Sequence, residues 1–153
     1  MTETETVLIA KNPSAGHNFE LLEKVEAGLQ LQGSEVKSLR ARKANLRDAF
    51  ARVEKGEVFL HGMDISPYAQ AGPTAPPAKR VRRLLLHRAQ IARLEGKLGG
   101  GGLTLVATRL YFKGSLVKVE LALARGKKRH DKRESLKKHD ARREIERALR
   151  RKV

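Results

Sequence analysis

The chain has 153 residues, and its composition excludes several classes of protein. Lys and Arg number 33 against 17 Asp and Glu, a formal net charge of +16, and Cys is absent. A chain of this length supports one ordinary domain, and without Cys it holds no disulfide scaffold, thiolate zinc site or cysteine nucleophile. The first six residues carry two acidic and no basic residues, unlike a secretory signal, and no apolar run approaches the ~18 residues that a membrane span needs. We therefore expect a basic cytoplasmic protein.

The first third of the chain predicts strands followed by a helix. Val7–Ala10 is a short apolar run suited to a sheet edge. Apolar residues then alternate in 19–25 and 29–31, which predicts two short strands with a bend at Gly28. At Ser34 the period changes to that of a helix, with Ser34 as its cap and Asn45 as its stop.

Two hairpins are predicted further along the chain. Residues 50–53 and 58–63 flank a turn containing Gly56, which suits a positive φ angle. Residues 103–112 and 116–124 flank 113–115, and the second strand alternates between apolar residues facing inward and Lys118 and Glu120 facing outward. Residues 69–78 hold three prolines and a glycine, so we expect a loop without regular structure.

Residues 82–98 are predicted to form a helix, because one stripe joins five residues at helical spacing: Leu84, His87, Ile91, Leu94 and Leu98. Arg82 and Arg83 stand at its start, where the helix dipole disfavours cations. Either they reach outward to phosphate or an exposed helix end simply tolerates them. Gly99–Gly102 follows the helix and precedes a strand, so it is a turn rather than a phosphate-binding loop.

Short strands outnumber helices, and hairpins link them. The sequence therefore predicts a mainly β fold, a small antiparallel β-barrel with flanking helices, because closure removes exposed sheet edges. We expect this body to span 1–126. Residues 127–153 form a basic tail, predicted to be disordered alone and helical on a polyanion; docking on the body through Ile145 and Leu149 is the alternative.

The charge is concentrated towards the C-terminus. Residues 79–126 hold 11 basic and 2 acidic residues, and residues 127–153 hold 13 and 5. Clustered basic charge of this size favours a nucleic-acid partner, with an anionic membrane or a merely soluble surface as alternatives. The few aromatic residues suit core positions, which favours recognition of a folded RNA over stacking on a naked strand.

Catalytic motifs are absent from the sequence. It contains no G-x-x-x-x-G-K-[ST], G-x-G-x-x-G or H-E-x-x-H pattern. A metal-dependent nuclease would need convergent carboxylates, for which Asp48, Glu57 and Asp64 are the candidates. We expect neither an enzyme nor a metal or other cofactor.

Four segments carry a resemblance to a known family: EAGLQLQGSEVKSLR (26–40), KANL (43–46), RRLLLH (82–87) and LARGKKRHDKRE (123–134). In this order and spacing they resemble the SsrA-binding protein (small protein B) family, over roughly residues 11–134. The resemblance implies an oligonucleotide-binding-like barrel and a monomer. It also implies binding to the tRNA-like part of transfer-messenger RNA, and delivery of that RNA with elongation factor Tu to stalled bacterial ribosomes. A general structured-RNA-binding or ribosome-associated protein is the alternative.

The same resemblance implies roles for particular residues. Asn12, Glu26 and Leu85 match positions that grip the RNA; the plainer alternatives are a turn residue, a solvated strand residue and the flank of the core. Further RNA contacts are expected from basic residues: Lys37, Arg40, Arg82, Arg83, Lys118, Lys127 and Lys128. The tail motif implies contact with 16S rRNA in the decoding centre by four residues: His130, Asp131, Lys132 and Arg133.

The sequence departs from the family pattern at three places. Residues 77–80 replace an acidic residue and proline that usually precede the arginine pair. Leu103 stands where an aromatic residue usually follows the loop glycine, and Asn18 stands where an acidic residue is common. The conformation of the loop before Arg82 is the feature most affected.

Overall fold

The computed structural model describes residues 5–127, apart from the side chain of Thr74. Within this range strands dominate: β1 (Thr6–Lys11), β2 (Phe19–Leu29), β3 (Ala44–Asn45), β4 (Phe50–Glu54), β5 (Glu57–His61), β6 (Asp64–Ile65), β7 (Arg82–Leu85), β8 (Leu103–Lys113) and β9 (Leu116–Gly126). The helices are α1 (Ala15–Asn18), α2 (Gly33–Arg40) and α3 (Arg88–Gly99), with a 3₁₀ helix at Ala69–Thr74.

The described strands close into an antiparallel ring. Its order is β8-β4-β5-β7-β2-β9, and the pairing of β9 with β8 completes it. β1 pairs with β8 beyond the point where β4 leaves it, and β3 and β6 form a separate two-stranded sheet. Because a closed ring leaves no strand of the barrel unpaired on either side, the predicted β-barrel is confirmed.

Both predicted hairpins are present. The β4–β5 turn consists of Lys55 and Gly56, which have φ angles of 50° and 77°. Two residues of positive φ match the right-handed twist of the flanking strands. In β9 the alternation is also as expected, since four residues point into the core: Val117, Val119, Leu121 and Leu123. This alternation leaves Lys118 and Glu120 on the outer face of the barrel.

The prediction of two short strands around Gly28 is wrong. β2 runs through Gly28 as one strand of 11 residues, and its register shift lies between Leu21 and Glu23. Pairing with β9 along almost the whole of β2 supplies the backbone partners that keep the strand continuous. Gly28 instead permits a close approach, because a Cβ atom there would lie 3.2 Å from the Cβ of Leu85.

The helix predicted from Ser34 begins one residue earlier and ends sooner. Gln32 is the N-cap of α2, and the backbone N–H of Gln32 donates to the Glu35 carboxylate at 3.0 Å. The helix ends at Arg40, Arg42 has a φ of 57°, and Asn45 lies in β3 rather than at a helix end. The helix is shorter than predicted because residues 44–45 pair with β6 as strand β3 instead.

The prediction of a helix from Arg82 is wrong for its first residues. Arg82 and Leu84 are buried while Arg83 and Leu85 are exposed, the two-residue alternation of strand β7. β7 closes the ring between β5 and β2, so it gains backbone partners on both sides. The helical stripe holds only for α3, where Leu94 is buried and Ile91 and Leu98 pack against the core.

The core lies inside the barrel, and a smaller cluster lies outside it. Ala122 and Ala124 of β9 pack beneath Ala15 of α1. The segment expected to lack regular structure contains the 3₁₀ helix at Ala69–Thr74, which has a break at Gly72. Among the described residues, no helix is long and apolar enough to cross a membrane.

Candidate nucleic-acid interface

A cleft of about 620 Å³ lies where β2 and β9 meet the start of α3. Its lining is mainly polar and basic: Lys24, Val25, Glu26, Gly28, Leu85, Leu86, His87, Gln90, Arg93 and Lys118. Three residues that the sequence analysis singled out, Glu26, Leu85 and Lys118, therefore share one cleft. They come from three different strands.

The sheet register explains how these residues meet. Gly28 of β2 is the partner of Leu85 on one side and of Lys118 on the other. Because Gly28 has no side chain, Leu85 can lie close against the β2 backbone, with its own side chain 52% exposed. The cleft thus offers an aliphatic surface beside a lysine. Leu85 faces outward because it lies on the outer face of strand β7.

Glu26 supplies a carboxylate in these basic surroundings. It accepts hydrogen bonds from the Tyr111 hydroxyl and from Lys113 Nζ at 3.2 Å. The Tyr111 hydrogen bond is the largest cause that holds the pKa of Glu26 below its ordinary value; burial opposes it, and Lys113 and Lys118 assist. Glu26 is therefore an anion at neutral pH and can accept hydrogen bonds from N–H or O–H groups of a nucleotide.

Helix α3 forms one wall of the cleft, and two ion pairs fasten it to β2. Glu23 accepts from Lys97 Nζ at 2.5 Å and pairs with Arg93. Sequence reasoning missed Lys24 and Arg93 as cleft residues. The alternation along β2 was the available signal for Lys24, since it shares the outer face with Glu26. Nothing in the sequence predicted the packing of α3 that brings Arg93 to the cleft.

The expectation that Arg82 stands at an exposed helix start is wrong. Its side chain is 1% exposed, and its Nε donates to Glu35 Oε2 at 2.8 Å. Its terminal nitrogens donate to three backbone carbonyls: those of Met63, Arg80 and Ala78. Burial is the main cause that lowers the pKa of Arg82, and the Glu35 carboxylate opposes it. A guanidinium engaged in this way has no free face for phosphate.

Three other basic candidates, Arg83, Lys37 and Arg40, are exposed, but they lie on different surfaces. Arg83 follows Arg82 on β7 and pairs with Glu57 at 3.1 Å, half-exposed. On α2, Lys37 Nζ lies 5.4 Å from the centre of the Tyr68 ring. Arg40 lines a separate cleft of about 390 Å³ between α2 and β1. Of these three residues, only Arg83 lies on a strand that also contributes to the first cleft, since β7 carries Leu85.

Asn12 is engaged within the protein. Its Nδ2 donates to the carbonyl of Ala107 at 2.8 Å, and its Oδ1 accepts from the Ser14 hydroxyl at 2.9 Å. It lines a third cleft of about 500 Å³, beside α1. These contacts favour the plainer interpretation of Asn12 as a turn residue.

The basic tail falls largely outside the described residues. Lys127 is half-buried, and its backbone N–H donates to the carbonyl of Asn18 at 3.1 Å. Lys128 and the decoding-centre candidates His130, Asp131, Lys132 and Arg133 lie outside the described range.

The carboxylates considered for a metal site do not converge. Across residues 5–127, no group of three or more His, Asp or Glu side chains is placed to hold a metal ion. Asp64 lies in β6, whereas Glu57 begins β5 and pairs with Arg83. The nuclease hypothesis thus has no structural support within this range.

Comparisons with known proteins agree with this arrangement. The family model for SmpB protein matches residues 9–151. An SsrA-binding protein of Carboxydothermus hydrogenoformans is 54% identical over 143 residues, covering 94% of this chain and 96% of that protein. One of Syntrophobacter fumaroxidans is 53% identical over 150 residues, covering 98% and 93%.

A solved structure is similar as well. It is described as "tmRNA-SmpB: a journey to the center of the bacterial ribosome", and one of its chains is 44% identical, with a TM-score of 0.67. The match covers 83% of this chain and 93% of the solved one. The closed β-barrel, the full-length relatives and the family match together lead to one conclusion: this chain belongs to the SmpB protein family.

Proposed function

We propose that this chain binds transfer-messenger RNA and delivers it to stalled bacterial ribosomes, with elongation factor Tu joined through the RNA. Membership of the SmpB family carries this proposal, since the relatives are SsrA-binding proteins and the similar solved structure concerns tmRNA-SmpB and the ribosome. The chain acts by binding in the cytoplasm, as a monomer, without enzymatic activity or a cofactor.

The cleft beside α3 is the proposed contact with the tRNA-like part of the RNA. Glu26 accepts hydrogen bonds from base or ribose groups, and exposed Leu85 packs on an unstacked base. Lys118 and Arg83 supply phosphate contacts beside them. Lys37 and Arg40 on α2 and Lys127 and Lys128 beyond β9 are proposed as further RNA contacts.

The body and the tail are proposed to divide the work. Residues 1–126 hold the RNA, while residues 127–153 enter the decoding centre and the empty messenger channel. The density of basic residues, 13 in 27 positions, suits a segment that follows ribosomal RNA. In this proposal His130 stacks on a 16S rRNA base, and Asp131, Lys132 and Arg133 contact its surroundings.

A salt-titrated competition experiment tests RNA specificity. The full chain is bound to labelled transfer-messenger RNA with an ordinary tRNA as competitor. We expect a preference of about 100-fold, with a log–log salt slope of roughly 0.7–0.9 per phosphate and only a handful of phosphates. Equal binding of both RNAs with a steep slope would replace this proposal by general RNA binding through the net charge.

A truncation tests the division between body and tail. Removing residues 127–153 is expected to keep most of the affinity for transfer-messenger RNA but to abolish peptide tagging in a reconstituted translation reaction. The matched control is Arg83→Glu with Lys118→Glu in the full chain, which should weaken RNA binding itself. If the truncation and the charge reversals reduce RNA binding equally, the division is wrong.

A further inference from the structure

A tyrosine reaches Glu26 from two strands away. Tyr111 lies on β8 and Glu26 on β2, and β9 runs between them. The Tyr111 side chain therefore lies across the outer face of β9, where it is 9% exposed, and its hydroxyl donates to Glu26 Oε2. Tyrosine combines a packed ring with a polar tip, so burial of the ring fixes where its hydroxyl lies.

A second donor from the same strand holds the other carboxylate oxygen. Lys113 Nζ lies 3.2 Å from Glu26 Oε1. Each carboxylate oxygen accepts two hydrogen bonds, so one donor on each oxygen leaves both able to accept once more. Two donors from one strand also fix the rotation of the carboxylate. Since Glu26 lines the cleft, its remaining acceptor positions are available to a ligand there.

We propose that Tyr111 and Lys113 are positioning residues, which orient the Glu26 carboxylate to accept a pair of N–H or O–H donors from an unpaired nucleotide. This inference rests on the proposed function, because it assumes that Glu26 contacts the bound RNA. An acceptor that is already oriented costs less conformational entropy when the ligand binds, and it distinguishes nucleotides by their donors.

The protonation of Glu26 supports the same role. The Tyr111 hydrogen bond is the largest cause of the lowered pKa of Glu26, ahead of the opposing effect of burial. Other ionisable side chains face it too: Lys113 from β8, Lys118 and Glu120 from β9, and His87 and Arg93 across the cleft. The Glu120 carboxylate accepts a hydrogen bond from the Thr108 hydroxyl at 2.6 Å. Loss of the Tyr111 hydroxyl should therefore raise the pKa of Glu26 and make RNA binding weaken as pH falls.

A double-mutant cycle separates positioning from packing. The affinity of the full chain for transfer-messenger RNA is measured for wild type, Tyr111→Phe, Glu26→Ala and the double variant. We expect Tyr111→Phe to weaken binding about 5- to 10-fold at neutral pH, which lies within the range that one ordinary intramolecular hydrogen bond contributes. In the Glu26→Ala background the same change should alter affinity less than about twofold.

The control and a pH series sharpen the result. Tyr68→Phe removes a hydroxyl that bonds only to Gln70 among the described contacts, so it should leave affinity unchanged. The loss caused by Tyr111→Phe should grow as the pH is lowered from 7.5 towards 4.5, the ordinary pKa of a glutamate, and this growth should vanish in the Glu26→Ala background. Comparing the two backgrounds cancels any pH dependence of binding that does not act through Glu26.

Several outcomes would overturn the inference. An equal effect of Tyr111→Phe with and without Glu26 means that Tyr111 acts through packing alone, and no effect at all means that it does not position Glu26. Full affinity of Glu26→Ala for transfer-messenger RNA, with the preference over tRNA intact, rejects the inference but leaves the proposed function standing. If thermal melting shows that Tyr111→Phe is unfolded, Lys113→Met in the same cycle decides, with coupling to Glu26 above about twofold expected.

Discussion

Two glutamates of this protein meet basic side chains in opposite ways. Glu35 is 3% exposed, and its carboxylate accepts from Arg82 at 2.8 Å, Arg80 at 2.5 Å and the N–H of Gln32 at 3.0 Å. Glu26 lies in an open cleft, where Tyr111 and Lys113 are its only donors among residues 5–127. Donors within the protein occupy the acceptor positions of Glu35, whereas Glu26 has acceptor positions left for a ligand.

This difference separates structural charge from binding charge. Arg82 and Arg83 are neighbours on β7, yet Arg82 locks α2 and the loop before β7 together while Arg83 faces solvent. The same residue type is thus engaged within the protein on one face of the strand and exposed to solvent on the other. Net charge alone overestimates the surface available to RNA.

Removal of the buried carboxylate is the strongest test of the contrast. Glu35→Ala leaves the guanidinium of Arg82 buried without its partner, which should lower the free energy of unfolding by about 3–5 kcal/mol. Urea denaturation followed by circular dichroism measures it. The matched control is Glu57→Ala, whose exposed pair with Arg83 should be worth less than about 1 kcal/mol. Similar losses in the two variants would contradict the contrast.

Acid should also weaken the hydrogen-bonded network around Glu35. The loss in free energy of unfolding should be no larger than that caused by Glu35→Ala. Burial raises the pKa of Glu35, but Arg80, the Gln32 N–H and Arg82 together hold it below its ordinary value of 4.5. A carboxyl whose folded pKa is depressed stabilises the fold above its unfolded pKa, and this stability is lost as pH falls through the folded pKa. The free energy of unfolding should therefore fall below about pH 4.5, and this fall should be smaller in Glu35→Gln. An identical profile in both proteins would exclude Glu35 as the source.

Charge reversal in the cleft should affect RNA but not the fold. Lys118→Glu is expected to weaken binding to transfer-messenger RNA about tenfold, because one phosphate contact becomes a repulsion. The salt slope should fall by about one contact, and the urea midpoint should stay unchanged. Lys55→Glu, on the β4–β5 turn outside the cleft lining, makes the same charge change. Equal losses from both variants would show that only net charge matters.

The smallest effect is expected from the aliphatic contact. Leu85→Ala should weaken RNA binding by about 1 kcal/mol, roughly fivefold, if this exposed leucine is buried by an RNA base as proposed. Fluorescence binding titration measures the change. Leu116→Ala truncates a leucine that is 60% exposed on the β8–β9 hairpin and should change neither affinity nor stability. A large loss of stability in Leu85→Ala would place that residue in the core instead.

The hairpins and the barrel follow from local patterns in the sequence. Gly56 and the alternation along residues 117–123 predict β4–β5 and β9 directly, because turn chemistry and two-residue period are read from neighbouring residues. The structure of the residues before α3 cannot be predicted from their neighbours in this way. Three consecutive leucines are compatible with either a helix or a strand. They form a strand here because backbone pairing with both β5 and β2 closes the ring.

The cleft depends on information that lies far apart in the chain. Glu26, Leu85 and Lys118 meet because Gly28 is paired with both Leu85 and Lys118, and register of this kind is not visible in any one segment. The buried Arg82 was missed for a different reason. Arginine is rarely fully buried, so a sequence pattern places it on the surface unless its partner, here Glu35 at 47 positions' distance, is already known.

The position of β9 has a mechanical consequence. This strand pairs with β2 on one side and β8 on the other along nearly its whole length, and it ends at Gly126, where the basic segment begins. A pull at Gly126 along the strand loads both ladders in shear, so many hydrogen bonds resist it together instead of opening one by one. The barrel thus gives the following residues an anchor that can transmit force, so whatever grips those residues pulls on the whole body.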